Sequence, residues 1–205
     1  MHNEKSDLRT RLLTRRRALT AEGRAQAALA LAGHAWELAA PGSTVAAYVS
    51  VGAEPGTRPL LDALRESGVR VLLPVLLPDN DLDWAEYAGP AALAAAGRGL
   101  LEPVGPRLGP EAVTEASVVL LPGLAVDAAG LRLGRGGGSY DRVLARLERA
   151  GVRPVLAVLL YEHELLERVP AEPHDLPVDL VVTPSGVRAL GRDGGGPDGG
   201  GPDGG

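Results

Sequence analysis

Apolar residues change their period along this 205-residue chain, and each change marks an element. Leu8, Leu12 and Leu19 recur at roughly helical spacing, which predicts an opening helix capped by Asn3 or Ser6. Arg15, Arg16 and Arg17 point around that helix, and the expectation for them is a solvated basic face. A second helix should start near Ala21, capped by Thr20, and run to Ala40, where Pro41-Gly42 stops it. The period then shortens. Residues 44–50 (TVAAYVS) read as a buried strand, and Thr57 caps a helix that Gly68 closes. Residues 69–77 form a strand broken by Pro74, and residues 82–87 alternate like an edge strand. Residues 117–121, 154–160 and 178–183 are short buried strands, with a helix over 139–150 ended by Gly151. Short apolar strands alternating with helices indicate an α/β domain over residues 1–190, with a mostly parallel sheet flanked by helices. In such sheets ligands sit beyond the carboxyl ends of the strands, which gathers 50–57, 122–139, 161–175 and 183–186 on one rim. The repeats of D-G-G-G-P at the end cannot bury surface against their ordering entropy, so 191–205 is expected to be disordered.

Composition narrows the chemistry. An apolar content of 45% supports a real core, and the absence of Cys removes disulfides, thiolate metal sites and Cys nucleophiles. A net charge of −5 argues against a general nucleic-acid binder. No stretch approaches the ~18 uncharged apolar residues of a membrane span. MHNEKSDLRT holds Glu4 and Asp7 and no apolar run, so the expected address is the cytoplasm. The basic residues are 20 arginines and one lysine, Lys5, in a chain that also lacks Phe and Ile. A coding bias toward Arg explains the depletion and makes the surviving ammonium conspicuous.

The richest stretch is G-L-R-L-G-R-G-G-G-S-Y-D-R, residues 130–142. Glycines 134, 136, 137 and 138 lead into a helix beginning near Ser139. Such a turn offers backbone N–H groups and the positive end of a helix dipole, which suits phosphate. Arg132 and Arg135 add bidentate donors, and Asp141 could hold magnesium or simply complement the dipole. On these residues alone, phosphate binding and a flexible Gly-rich loop are equally good readings. The stretch lacks the Lys of a P-loop, lies too far from its strand for a dinucleotide fold, and does not frame Ser139 as a hydrolase nucleophile. His2, His34, His163 and His174 form no metal-ligand spacing. Glu54, in V-G-A-E-P-G-T, stands on the rim, where it could hydrogen-bond a polar heterocycle, although an exposed turn carboxylate is the favoured local reading; Asp175, in E-P-H-D, is a similar case, with turn or capping duty as the plainer reading.

Taken together, P-G-L-A-V-D-A-A-G-L-R-L-G-R-G-G-G-S-Y-D-R (122–142), K-S-D-L-R (5–9), E-P-G-T (54–57), G-L-L-E-P (99–103), V-P-A-E-P-H-D (169–175) and V-V-T-P-S (181–185) resemble the 5-formyltetrahydrofolate cyclo-ligase family. The resemblance implies a Rossmann-like three-layer fold. It also implies an ATP- and magnesium-dependent closure of 5-formyltetrahydrofolate to 5,10-methenyltetrahydrofolate by a monomer. Lys5, Ser6 and Arg9 would then reach the ATP phosphates, and the run Arg132, Leu133, Gly134, Arg135, Gly136, Gly137, Gly138, Ser139 and Tyr140 would wrap the triphosphate. Glu54 and Val51, with Gly136, Gly138 and Tyr140, would border the folate. Asp141, with Asp175, would bind magnesium, and Lys5, Arg9, Tyr140 and Asp141 would be the catalytic set. Ser139 stands where the family usually has Tyr, Arg98 where an aromatic is frequent, and Glu164 in place of a common Gln. A paralogous ATP-dependent ligase for another amide or carboxylate, and a non-catalytic folate or nucleotide binder, remain alternatives.

Overall fold

The computed structural model describes residues 2–170 and 176–191; Asp175 and the repeats from 192 onward lie outside the described residues. The first half runs α1 (His2–Ala18), α2 (Ala21–Ala32), α3 (Ala35–Leu38), β1 (Thr44–Ala46), α4 (Arg58–Glu66), β2 (Arg70–Leu76), β3 (Leu82–Glu86), β4 (Leu93–Ala95) and β5 (Leu101–Pro103). The second half runs β6 (Val118–Leu121), β7 (Ala125–Asp127), β8 (Arg132–Leu133), α5 (Ser139–Ala150), β9 (Val155–Leu159), β10 (Leu165–Leu166), β11 (Leu180–Thr183) and β12 (Gly186–Ala189).

The main sheet has seven strands in the order β12-β11-β9-β6-β1-β2-β3. Its interior pairs are parallel, and β12 and β3 close the two edges antiparallel. Alternate residues serve opposite faces. Val45, Val71, Leu73, Leu120 and Leu159 pack with Leu31 of α2 and with Leu60, Leu61 and Leu64 of α4. Ala46, Leu72, Val119, Leu121 and Val158 pack with Val143, Leu144 and Leu147 of α5. Both faces are covered, which is why these strands read as continuous apolar runs rather than alternating ones. A separate three-stranded sheet, β10-β7-β8, seats α1 through Leu12, Leu124, Ala125 and Leu133.

Several local expectations change. The helix expected over 21–40 divides at Gly33-His34 into α2 and α3, although Thr20 does cap α2 by accepting from the Gly23 N–H. Pairing of β1 ends at Ala46 rather than at residue 50. Thr57 does not cap α4 with its side chain; its hydroxyl accepts from the Ser50 N–H instead, tying the two ends of the 50–57 loop. Pro74 does not break β2. The Leu72 carbonyl faces β1, so by alternation position 74 faces the same side, and β1 pairing stops at Leu72. The missing N–H of Pro74 therefore costs no ladder bond.

The turn between β2 and β3 is fastened to α5. The Arg146 guanidinium spans both oxygens of Asp81, at 3.2 and 2.7 Å, and reaches Glu111 at 2.8 Å. The bond from Arg146 holds the Asp81 carboxyl below its usual range against a smaller opposing effect of burial. A group whose folded-state pKa is depressed stabilises the fold above the ordinary carboxylate range and loses that contribution as acid protonates it. Asp81→Asn should therefore cost about 2 kcal/mol at neutral pH. Urea midpoints of the variant and the parent should converge as pH falls through the carboxylate range.

Candidate active site

The strand order reverses between β1 and β6. The connection from β1 runs through α4 to β2 on one side, and that from β6 runs through α5 to β9 on the other. At such a switch point the connections diverge and leave a crevice beyond the carboxyl ends. A cavity of about 650 Å³ lies there, walled by Tyr48 and Val49 after β1, Pro122 after β6, and the Gly-rich run before α5.

The cavity brings together Lys5, Arg9, Val51, Glu54, every residue from Arg132 to Tyr140, and Asp141. Ser6 is not among its lining residues; its side chain is exposed on α1, and its carbonyl accepts from the Thr10 hydroxyl. Leu133 contributes to the wall, but its side chain is buried with Leu12 and Leu124.

Two arginines shape the Gly-rich run. Arg9 Nε donates to the Gly134 carbonyl at 2.9 Å, joining α1 to the loop. Arg132 Nη1 donates to the Pro122 carbonyl at 2.8 Å, fixing the loop to the end of β6. Gly138 enters α5 with φ +78, a conformation that costs an L-residue strain, so the helix N-terminus can open directly onto the cavity. The first-turn N–H groups of α5, Lys5, Arg9, Arg132 and Arg135 make this wall a cationic cradle suited to an anionic chain of phosphate groups. Asp141, exposed in that first turn, is its carboxylate. Among the described residues no cluster of three or more His, Cys, Asp or Glu could hold a metal alone. Asp141 at the cavity wall still fits magnesium, which draws most of its ligands from water and phosphate oxygens.

Glu54 corrects the local expectation of an exposed turn residue. It is only 8% exposed. One carboxylate oxygen accepts from the Val51 N–H at 2.7 Å, and the other lies 3.4 Å from Arg135 Nε. A carboxylate aimed into a cavity suits a ligand with paired N–H donors. Tyr48 and Tyr140 flank it. Removal from water pushes the Tyr140 hydroxyl well above its ordinary pKa, with Glu54 adding and Arg132 opposing. Burial, then Glu54, does the same for Tyr48. Both hydroxyls therefore stay protonated at neutral pH and can donate.

Sequence reasoning gave no supporting role to Arg16, Glu164, Asp127 or Gly130. Arg16, expected on a solvated face, is 1% exposed and paired with Glu164, itself 0% exposed. The signal was available: Lys5, Arg9 and Arg16 stand four and eleven residues along one helix, within about 20° of one face from Lys5 to Arg16. Asp127 is buried, accepting from the Leu131 and Val169 N–H groups, and so builds the turn that starts the glycine motif. Gly130 in that turn has φ +82, and a Cβ there would meet the Val178 carbonyl at 2.5 Å.

The fold and the site define a class: an α/β domain whose switch-point cavity joins a cationic wall to a buried carboxylate. The comparisons narrow the class. Residues 1–184 match the 5-formyltetrahydrofolate cyclo-ligase family. The chain is 48% identical over 192 residues to a 5-formyltetrahydrofolate cyclo-ligase of Mycolicibacterium smegmatis, covering 91% of this chain and 97% of that one. It is 35% identical to the Escherichia coli cyclo-ligase, covering 70% and 79% of the two chains. The NMR structure of Aquifex aeolicus 5,10-methenyltetrahydrofolate synthetase superposes with a TM-score of 0.75 at 32% identity, covering 93% of this chain and 94% of that one. The chain belongs to the 5-formyltetrahydrofolate cyclo-ligase family, and it is a ligase.

The entry to α5 can be tested without substrate. Gly138→Ala meets no neighbouring atom within 4 Å, so its cost should be backbone strain alone. Urea denaturation should show a loss of about 1 kcal/mol. An unchanged midpoint would mean that the positive φ is not required.

Proposed function

We propose that this enzyme closes 5-formyltetrahydrofolate to 5,10-methenyltetrahydrofolate at the expense of ATP, with magnesium, releasing ADP and phosphate. The observation that carries the reading is that a buried carboxylate, Glu54, and a set of cationic groups line one cavity. The ring-closing chemistry needs both kinds of group. A formyl oxygen on nitrogen is a poor leaving group. When that oxygen attacks the γ-phosphorus and ADP departs, the oxygen becomes part of a phosphate ester. The second folate nitrogen then attacks the formyl carbon and loses its proton, and phosphate leaves with the C–O electron pair.

In this reading the N–H groups of the α5 entry, with Lys5, Arg9, Arg132 and Arg135, bind the triphosphate and stabilise the charge that gathers on it during transfer. Glu54 accepts from the N–H groups of the heterocycle and orients the formyl group toward the phosphate. Tyr140 packs against the substrate and donates its hydroxyl. Magnesium, when bound, neutralises phosphate charge; Asp141 would hold it, and we assign Asp175 as the second carboxylate. The protein's main work is positioning, since no side-chain nucleophile is required. We read the enzyme as a cytoplasmic monomer acting on small molecules, with neither nucleic acid nor membrane as partner. Among the described residues no helix is long and apolar enough to cross a membrane.

The assay is direct: purified protein, ATP, magnesium and 5-formyltetrahydrofolate, followed by the absorbance of methenyltetrahydrofolate. Product dependent on both ATP and substrate is expected. Folded protein that binds both without turnover would favour the non-catalytic reading, and ATP hydrolysis driven only by another acceptor would favour a paralogous ligase.

Two substitutions refine the assignment. Lys5→Ala should raise the KM for ATP about tenfold, the worth of one charge-assisted hydrogen bond. Lys5→Arg should keep part of the activity; wild-type kinetics in Lys5→Ala would remove Lys5 from the phosphate site. Ser139→Tyr adds an aromatic wall at the cavity and should lower the KM for the folate about threefold. An unchanged KM would show that position 139 does not face the substrate.

A further inference from the structure

Arg16, Glu164 and Tyr161 take no direct part in the site described above, yet they connect its two ends. Arg16 sits on α1, about two turns beyond Arg9 and three beyond Lys5. Its Nε donates to Glu164 Oε1 at 2.6 Å, and its Nη2 donates to Glu164 Oε2 at 2.9 Å and to the Gly123 carbonyl at 2.6 Å. Gly123 directly follows Pro122, whose carbonyl holds Arg132. Glu164 Oε2 also accepts from the Tyr161 N–H at 3.0 Å. The Tyr161 ring lies 5.9 Å beneath the Arg16 guanidinium. Its hydroxyl, 3.2 Å from the Glu54 carbonyl and 3.3 Å from that of Ala53, donates to the turn that presents the Glu54 carboxylate.

We infer that Arg16, Glu164 and Tyr161 form a buried positioning strut that fixes Glu54 relative to the Lys5–Arg9 end of α1. The inference rests on the proposed reaction for its kinetic consequence but on the hydrogen bonds alone for its existence. Each joint is directional. A guanidinium can hold two carboxylate oxygens and a carbonyl in one plane, which an ammonium cannot. Because Glu164 and Arg16 are both excluded from water, neither can trade its partner for solvent, and the joint has one arrangement rather than many. The strut matters because phosphoryl transfer needs the formyl oxygen in line with the γ-phosphorus, and a displacement of about 1 Å at either end can cost on the order of 100-fold in rate.

Glu54 and the phosphate cradle respond differently to damage at different joints, and the test uses that. Tyr161→Phe removes only the hydroxyl and loosens only the Glu54 turn. The expected result is a KM for 5-formyltetrahydrofolate raised at least fivefold, with the KM for ATP within twofold of wild type. Arg16→Lys keeps the charge but loses the fork, and should lower kcat at least tenfold while raising both KM values. Hydrogen exchange provides a second readout, independent of turnover. The Glu54 N–H, bonded to the Val51 carbonyl, and the Val51 N–H should exchange at least tenfold faster in Tyr161→Phe than in wild type. Tyr161→Phe with wild-type KM values and wild-type exchange over residues 50–57 would overturn the strut. If the wild-type enzyme shows no cyclo-ligase turnover, the proposed reaction fails, and the exchange comparison still decides whether the strut holds the Glu54 turn.

Discussion

The buried pair between Arg16 and Glu164 ties together the chain segments that border the site. Burying two full charges costs several kcal/mol per ion, and their attraction only roughly offsets that cost. Such a pair adds little net stability over a well-packed apolar one. It supplies direction. Two carboxylate oxygens, the Gly123 carbonyl and the Tyr161 N–H meet around one guanidinium and one carboxylate. Four chain segments, α1, the end of β6, the loop after β9 and, through Tyr161, the Glu54 turn, are thereby locked into one relation. Apolar packing of α1 on the small sheet through Leu12 would hold the helix in place but would not fix its register.

The sheet supplies what the ion pair cannot. Reversal of strand order between β1 and β6 sends α4 and α5 to opposite faces and leaves the crevice that both the Gly-rich run and the Glu54 turn border. Charges of both signs line that cavity. Lys5, Arg9, Arg132 and the α5 entry line it together with Glu54, and Arg135 lies 3.4 Å from the Glu54 carboxylate. Such a lining suits the proposed reaction, in which a polyanion and an N–H-rich heterocycle must meet at one oxygen atom.

Much of this was legible in the chain. The buried strands at 118–121, 155–159 and 180–183 and the helix at 139–150 follow from apolar period and glycine stops, because both faces of a parallel sheet must be apolar. The 122–142 motif marked the loop that lines the cavity, because few backbone tasks other than close approach and positive φ call for so many glycines. What could not be read depends on tertiary contacts. Helical phase with Lys5 sets Arg16 apart from the exposed Arg15 and Arg17, but nothing local names its partner, which lies 148 residues away. Glu54 looked like a turn carboxylate because its burial comes from neighbours outside the turn. The strands β7, β8 and β10 are two or three residues long, too short to show any period.

The most direct measurement is a crystal structure of the enzyme with magnesium ADP and 5-formyltetrahydrofolate bound together. The arrangement requires the diphosphate to lie against the N–H groups at the start of α5 with Lys5 and Arg9 beside it. The folate heterocycle should then meet Glu54 across the same cavity. A nucleotide seated against Glu54, or either ligand bound away from the β1–β6 crevice, would contradict it.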